Sequence, residues 1–438
     1  MQMATMNALE LGGFAAPFDA RAIWTSKRLQ FRSDRGGDGS RREPVFAGPI
    51  SNKPNTGRRE RMTRLTFGSS AALAICTMLG STAALADDPT AKLDAMKLAP
   101  AGIVGPSQAG DKASDPKLAW LTDEECAAAK AKGFKIGIVM QTMNIQWSTE
   151  QVRGITDGLK RCGGKVIGVT NPDFTVEKQI GQIGDMIQLK PDAIISIPVD
   201  DVATAATYKK VQEAGIKLVM MDNVPKGLKH GQDYVTVVSC DSQGLGAESA
   251  AILEKYLPKG AEVGVVWFGI SFYVTNERTK GFKDWMAKNR ADVVIKEAPF
   301  LNPSDAGKVA ESFLTANPKI AGLFTEWSGP GLDAAAAARA QGKDIPGVTI
   351  NLEGDVAVEL AKGGLIKGLA SQVPYDQGVT EANAALKSLL GKELPPFLAY
   401  AAVPVIQNNV TKAWDTVFHL PVPADLATAC KGNAVCVQ

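Results

Sequence analysis

From residue 134 onward the chain alternates two hydrophobic patterns. Short runs in which nearly every residue is apolar, at 135–140, 165–169, 193–197, 217–221, 235–239, 263–268, 293–295, 321–325, 348–352 and 366–370, read as strands. Between them lie segments with apolar side chains at helical spacing, such as Val176, Ile180, Ile183 and Ile187. Strands separated by helices at this rhythm form βαβ units and parallel sheets. Runs such as Ala193-Ile194-Ile195-Ser196-Ile197, apolar on both faces, fit strands covered by helices on each side. Ten strands exceed the usual size of one compact sheet. The pattern therefore predicts an α/β protein of two doubly wound parallel-sheet lobes. The break falls near Cys240 and Asp241, because the strand at 235–239 follows Met221 through a loop and not a full helix. The expected division is 133–240 with 373–396 for the N-terminal lobe, and 241–372 with 397–410 for the C-terminal lobe. Residues 411–438 leave the rhythm and are expected to wrap the body. Residues 87–132, with Pro100, Gly105, Pro106, Gly110 and Pro116, are expected to form a loosely structured arm.

The start of the chain has another character. Residues 1–61 show no apolar periodicity, and 32–61 are rich in Arg, Gly, Ser, Asp and Pro, so they read as an extension ahead of the biological start. Met62 opens a clearer pattern: Arg64, an apolar run from Leu65 to Leu79, and Ala84-Leu85-Ala86 before Asp87. A charged start, an apolar centre and a small-residue cleavage site make 62–86 a secretory signal. The run is too short, and too interrupted by Gly, Ser and Thr, to read as a membrane span. The expected mature protein is periplasmic.

Charge divides at the same place. Of 48 Lys and Arg and 46 Asp and Glu, residues 1–86 hold 12 and 6, which leaves 36 against 40 for the remainder. An acidic folded part argues against a nucleic-acid partner, which calls for a basic face. Only His230 and His419 are available for imidazole chemistry, and no CxxC, HExxH or acidic calcium loop occurs, so no metal or cofactor is expected. Export permits disulfides. Cys126 precedes the first strand and Cys162 ends the first helix, so the two should lie under one end of the sheet. Cys430 and Cys436 can close a small loop near the tail, which leaves Cys240 as a buried hydrophobe.

Two motifs fail on inspection. Gly244-Leu245-Gly246 opens a helix after a strand, but Ser249 stands where a dinucleotide fingerprint needs its third glycine. Ser328 lacks the preceding glycine of a nucleophile elbow. The chemistry-bearing residues collect elsewhere, at the carboxyl ends of strands, where open parallel sheets bind ligands. Gln141, Asn144 and Trp147 follow the first strand, Asp200 and Asp201 the third, and Asp222 and Asn223 the fourth. Phe272, Tyr273 and Arg278 follow the sixth, Glu326 and Trp327 the eighth, Glu353 the ninth and Gln372 the tenth. Carboxylates, a guanidinium and amides hydrogen-bond hydroxyls, while indole faces cover the C–H side of a ring, so the set suits a neutral polyhydroxylated ligand. Each residue has a plainer reading: either Trp can fill a core, Arg278 can pair with Glu277 or Asp284, and Asp222 can cap a turn. Their convergence on one edge favours a binding site.

The segments Lys135-Ile-Gly-Ile-Val-Met-Gln-Thr-Met-Asn144, Asp192-Ala-Ile-Ile-Ser-Ile-Pro-Val-Asp-Asp201, Ala214-Gly-Ile-Lys-Leu-Val-Met-Met-Asp222, Glu277-Arg278-Thr-Lys-Gly-Phe282, Leu314-Thr-Ala-Asn-Pro318 and Gln372-Val-Pro-Tyr-Asp-Gln-Gly378 occur in one order. With them, residues 135–408 resemble the ribose-type periplasmic sugar-binding proteins, the type I solute-binding fold of sugar ABC transporters. The resemblance implies two lobes joined by hinge strands that close over a sugar or polyol without catalysis. It also implies a monomer that delivers to a membrane permease with its ATPase and, in some members, to a chemoreceptor. It places the family's aromatic after strand 1 on Trp147, its Asp after strand 4 on Asp222, its Arg on Arg278, its hinge Gln on Gln372 and its Asp after strand 9 on Glu353. Ser148, Asn223, Trp327 and Ile197 depart from the pattern, so the ligand need not be ribose. Three other readings compete. A sugar-sensing transcription regulator would need a helix-turn-helix before the first strand. A secreted α/β enzyme acting on a sugar would use Asp222 and Glu353 as acid and base. A ligand-sensing protein would feed a signalling receptor. N-terminal sequencing of the exported protein should begin at Asp87, and a start more than a few residues away would overturn the signal at 62–86.

Overall fold

A computed structural model describes residues 103–436, which belong to one compact unit. The expected extension 1–61, the signal 62–86 and the first part of the arm lie outside the described residues. Each of the ten expected strands forms. β1 (Lys135–Val139), β2 (Lys165–Thr170), β3 (Ala193–Ser196), β4 (Lys217–Met221) and β5 (Thr236–Cys240) lie in one sheet. β6 (Glu262–Phe268), β7 (Val294–Phe300), β8 (Ile320–Thr325), β9 (Gly347–Ile350) and β10 (Ile366–Ser371) lie in a second. Two further strands, β11 (Phe397–Tyr400) and β12 (Val403–Ile406), complete the sheets, with orders β11-β5-β4-β3-β1-β2 and β12-β10-β9-β8-β6-β7.

Helices cover the faces. α1 (Asp123–Lys132) precedes β1, and α2 (Gln146–Arg161), α3 (Val176–Gln188) and α4 (Ala205–Glu213) follow β1, β2 and β3. α5 (Ser242–Glu254) follows β5, while α6 (Tyr273–Asn289), α7 (Ala306–Ala316), α8 (Ser328–Ala340) and α9 (Gly354–Ala361) follow β6 to β9. α10 (Pro374–Leu389) follows β10, and α11 (Val410–Phe418) and α12 (Ala424–Cys430) form the tail. This is the doubly wound, two-lobed α/β architecture that the apolar rhythm predicts.

The chain passes between the sheets after Cys240, after Gln372 and at Ala401-Ala402. The direction of each passage fixes strand orientation. β11 leaves the first sheet in the same sense as β5 and pairs with it in parallel. β12 enters the second sheet where β10 leaves it, so that pair is antiparallel. The expected boundary before residue 397 is thereby corrected, since Phe397–Tyr400 belongs to the first sheet. Both strands escape the sequence pattern because they follow one another with no helix between them and β12 contains Pro404. A proline lacks the ladder donor and is tolerated only at an edge, which is where β12 lies.

Nor is the described part of the arm loose. Ser114 N–H donates to Phe397 O (2.8 Å), and Thr122 and Glu125 form a reciprocal capping box at the start of α1. A disulfide joins Cys126 to Cys162, a second joins Cys430 to Cys436, and Cys240 is a buried free thiol.

In each lobe the helix that follows a passage packs backbone to backbone against the helix that follows the first strand. A Cβ on Gly154 of α2 would lie 2.1 Å from Tyr375 O of α10, and one on Gly378 2.3 Å from Gln151 O. In the second lobe, a Cβ on Gly246 of α5 would lie 2.0 Å from Arg278 O of α6, and one on Gly281 2.1 Å from Gln243 O. No side chain fits at these contacts. They set the depth of α2 and α6, which carry Trp147 and Arg278. Gly154→Ala and Gly246→Ala should each lower stability by roughly 1–3 kcal/mol in denaturant titration through overpacking. Gly181→Ala, on α3 with nothing within 4 Å, should be neutral or slightly stabilising.

Candidate ligand-binding site

The carboxyl ends of both sheets converge on one cavity with about 440 Å³ of space not filled by protein atoms, part of it open to solvent. The first lobe contributes Gln141, Ile145 and Trp147 after β1, Phe174 after β2, Ile197 after β3 and Asp222 after β4. From the second lobe come Phe268, Phe272, Val274, Thr275 and Arg278 around the start of α6, Trp327 after β8 and Asn351 after β9. Gln372 lies at the second passage. Trp147, Asp222, Arg278, Trp327 and Gln372, predicted from strand ends, are thus brought together.

Asp222 sits one residue past β4 in left-handed backbone (φ 52°) and accepts hydrogen bonds from Ser239 Oγ (2.7 Å) and Gln377 Nε2 (3.3 Å). Burial raises its pKa, while the Arg278 charge and hydrogen bonds from Ser239, Gln372 and Gln377 oppose the shift. Arg278 is buried too, and its Nη1 donates to Glu326 O (3.0 Å). Burial lowers the pKa of the guanidinium, against the carboxylates of Asp222 and Glu326. Glu326 is fully buried behind the cavity, where its carboxylate accepts from Phe268 N–H and Thr279 Oγ1, each at 2.6 Å.

Aromatic rings form the other part of the lining. Phe268 has ring centroids of Trp327 at 5.4 Å, Phe272 at 6.2 Å and, from the opposite lobe, Phe174 at 6.3 Å. Such edge-to-face contacts fix ring orientation as well as burying area. Several polar atoms of lining residues are buried without a hydrogen-bond partner: Gln141 Oε1, Trp147 Nε1, Arg278 Nε, Asn351 Oδ1 and Gln372 Oε1. Unsatisfied buried polar atoms are uncommon in native proteins, and these five are free to hydrogen-bond a molecule that enters the cavity.

Three predicted residues lie outside the lining. Asn144 is exposed, and its amide donates to Asp173 Oδ1 (2.8 Å). Asn223 is buried beneath the cavity, with its Oδ1 accepting Val274 N–H (3.1 Å) from the other lobe. Glu353 is held at the lobe interface, where Oε2 accepts Ser328 Oγ (2.7 Å) and Oε1 accepts Trp147 N–H (3.2 Å). Beside it, Gly354 N–H donates to Gln146 Oε1 (2.9 Å), so Glu353 joins the lobes and does not face the cavity. The position after β9 that corresponds to Asp222 is Asn351. Both lie one residue past a strand in left-handed backbone, with φ 70° for Asn351, and both donate their N–H to the neighbouring strand at 2.9 Å (Val238 O and Ala370 O). A polar residue immediately after a buried run was the available signal for Asn351. Phe174, in a loop, and Phe268, inside an apolar strand, carried none.

A model of the periplasmic binding protein domain matches residues 136–393, more than half of the chain. The chain belongs to this family. A relative in Bacillus subtilis, named ribose import binding protein, is 27% identical over 264 residues, 60% of this chain and 84% of its own length. A D-ribose/D-allose-binding protein of Pseudomonas aeruginosa is 28% identical over 49% of this chain and 68% of its own length. Among solved structures, an ABC transporter solute-binding protein of Agrobacterium vitis bound with α-D-tagatopyranose has a TM-score of 0.61 at 24% identity. That match covers 66% of this chain and 99% of the other, and supports the periplasmic-binding-protein fold.

Glu326 gives the site a pH signature. Burial pushes its pKa up to about 8 from 4.5, against the hydrogen bonds from Thr279 and Phe268 and the charge of Arg278. A folded-state pKa above the unfolded one means that the stabilisation is complete below about pH 4.5 and is lost as pH rises through about 8. The melting temperature should therefore fall across that window, and less steeply in Glu326→Gln. Parallel slopes for the two proteins would exclude Glu326 as the cause.

Proposed function

We propose that this protein is the exported solute-binding component of a sugar-type ABC importer, capturing a small sugar or polyol between its lobes by hinge closure. The observation that carries this reading is the cavity itself. Both sheets present carboxyl ends to it, and unpaired buried polar atoms stand beside five aromatic side chains. Hydroxyls suit the polar atoms, and the C–H faces of a sugar suit Trp147 and Trp327, which approach from opposite lobes. Asp222 and Arg278 supply charge-assisted hydrogen bonds that exist together only when the lobes are closed, so binding selects the closed state. The names of the relatives support sugars as the class of solute. With one carboxylate in the lining and rings around Phe268, the cavity favours a solute with an apolar edge over one hydroxylated on every side.

The closed monomer delivers its solute to a membrane permease and its ATPase, and a chemoreceptor that reads the same closed shape is a further partner. The signal at 62–86 provides export to the periplasm. The enzyme reading needs an acid and a base together, and Glu353 is instead held by Ser328 and the Trp147 N–H outside the cavity.

Thermal-shift and calorimetric titration with D-ribose, D-allose, D-tagatose, D-fucose, allitol and glycerol tests the reading. At least one compound should bind and raise the melting temperature in proportion to saturation. For that compound, Trp147→Ala and Trp327→Ala should each weaken binding by roughly 1–3 kcal/mol, and Asp222→Asn should weaken it by about as much. Turnover of a bound compound, or unchanged affinity in all three variants, would overturn the proposal.

A further inference from the structure

Residues 103–122 precede the part of the chain that the family model matches, and they lie against both lobes. At the first passage, Val104 N–H and Gly105 N–H donate to the Asp241 carboxylate (2.7 and 2.9 Å), which also caps α5 through Gly244 N–H (2.9 Å). At the start of α6 in the second lobe, Tyr273 Oη donates to Pro106 O (2.9 Å). Two residues further on, the arm holds the first lobe. Gln108 Nε2 donates to Asp201 Oδ2 (2.6 Å), and Gln108 Oε1 accepts Val224 N–H (2.9 Å). The other oxygen of Asp201 accepts Ser271 Oγ (2.6 Å) from the second lobe, so this buried carboxylate joins arm, first lobe and second lobe.

We propose that residues 104–108 are a latch that holds the lobes closed and positions segment 222–224, the stretch that carries Asp222 into the cavity. Two residues of extended chain span at most about 7 Å. The lobes therefore cannot part further at this edge without breaking either the Tyr273–Pro106 bond or the bonds of Gln108. Opening also exposes Asp201, which exchanges two charge-assisted bonds for water. Gly105 permits the approach, since a Cβ there would lie 2.7 Å from Asp241 Oδ1. The latch concerns how the lobes stay together and not what they hold, so it is measured without ligand.

Spin labels at Lys178→Cys and Lys308→Cys, exposed positions on α3 and α7 in opposite lobes, report the distance across the cleft by double electron–electron resonance. In the ligand-free protein, Gln108→Glu sets a carboxylate against Asp201 and should raise the long-distance population roughly tenfold, the equivalent of one hydrogen bond to a charged group. Tyr273→Phe should move it in the same direction. Adding Asp201→Asn to Gln108→Glu should return the distribution to that of the wild type, because the new amide donates to the new carboxylate while its oxygen still accepts from Ser271. No lengthening in Gln108→Glu, or a lengthening that Asp201→Asn leaves in place, would overturn the latch.

Discussion

Asp222 and Arg278 are coupled across the cleft from opposite lobes, with 5% and 4% of their surfaces exposed, and burial works against both charges. Each charge offsets part of what burial costs the other, and the surrounding residues supply the rest. Ser239 and Gln377 donate to the carboxylate, and the Glu326 carbonyl accepts from the guanidinium. The two charges act on each other through space, so removing either would leave the other buried with less to offset that burial. Both charges reach one cavity because the glycine contacts set the depth of α6 and a left-handed turn directs Asp222 at the end of β4. Behind Asp222, Glu381 on α10 is fully buried. Its pKa is pushed well above the usual carboxylate range by burial and then by the Asp222 charge.

The two lobes meet this constraint with matching parts. Their sheet orders correspond strand for strand, and the lobes differ in the sense of the outermost strand. Asp222 and Asn351 occupy corresponding places, as do Ser239 and Ser371. Ser239 Oγ donates to the Asp222 carboxylate, whereas Ser371 Oγ accepts Leu352 N–H. The glycine contacts between α2 and α10 recur between α5 and α6. One carboxylate and one amide in equivalent positions leave the cavity with a single acidic residue in its lining, balanced by Arg278. An uncharged solute fits such a cavity better than an ionic one, because a buried net charge on the solute would lack a partner.

The segments outside the family's matched region bear on the same closure. The arm reaches both lobes through Asp241, Tyr273, Asp201 and Val224. In the tail, His419 lies 2.9 Å from Asp376 on α10, while Asn433 Nδ2 donates to Ala361 O at the end of α9 (3.0 Å). The tail is thus tied to helices of both lobes, as the arm is. The disulfide from Cys126 to Cys162 fixes α1 to the end of α2 and anchors the arm on the first lobe.

The apolar rhythm by itself determined the fold class and the ten principal strands, because a strand covered on both faces must be apolar throughout and a covering helix must repeat every 3.6 residues. It also determined at which edge the cavity lies, since parallel strands all end on one side, and so Trp147, Asp222, Arg278, Trp327 and Gln372 were legible as a group that lines it. It could not determine which of several polar residues after a strand turns inward. Asn144 and Glu353 follow strands as Asp222 does, yet hydrogen bonds to Asp173 and to Ser328 hold them away from the cavity. Phe174 and Phe268 looked like ordinary apolar residues until packing set Phe268 beside Trp327 and Phe174, from the opposite lobe, against Phe268. The pairing of β11 with β5, the course of the arm and the hold on Glu353 by Trp147 N–H depend on contacts between residues more than a hundred positions apart, and β12 finds its partner β10 only across a helix and another strand. Local periodicity carries no information about such contacts, and only the folded chain decides them.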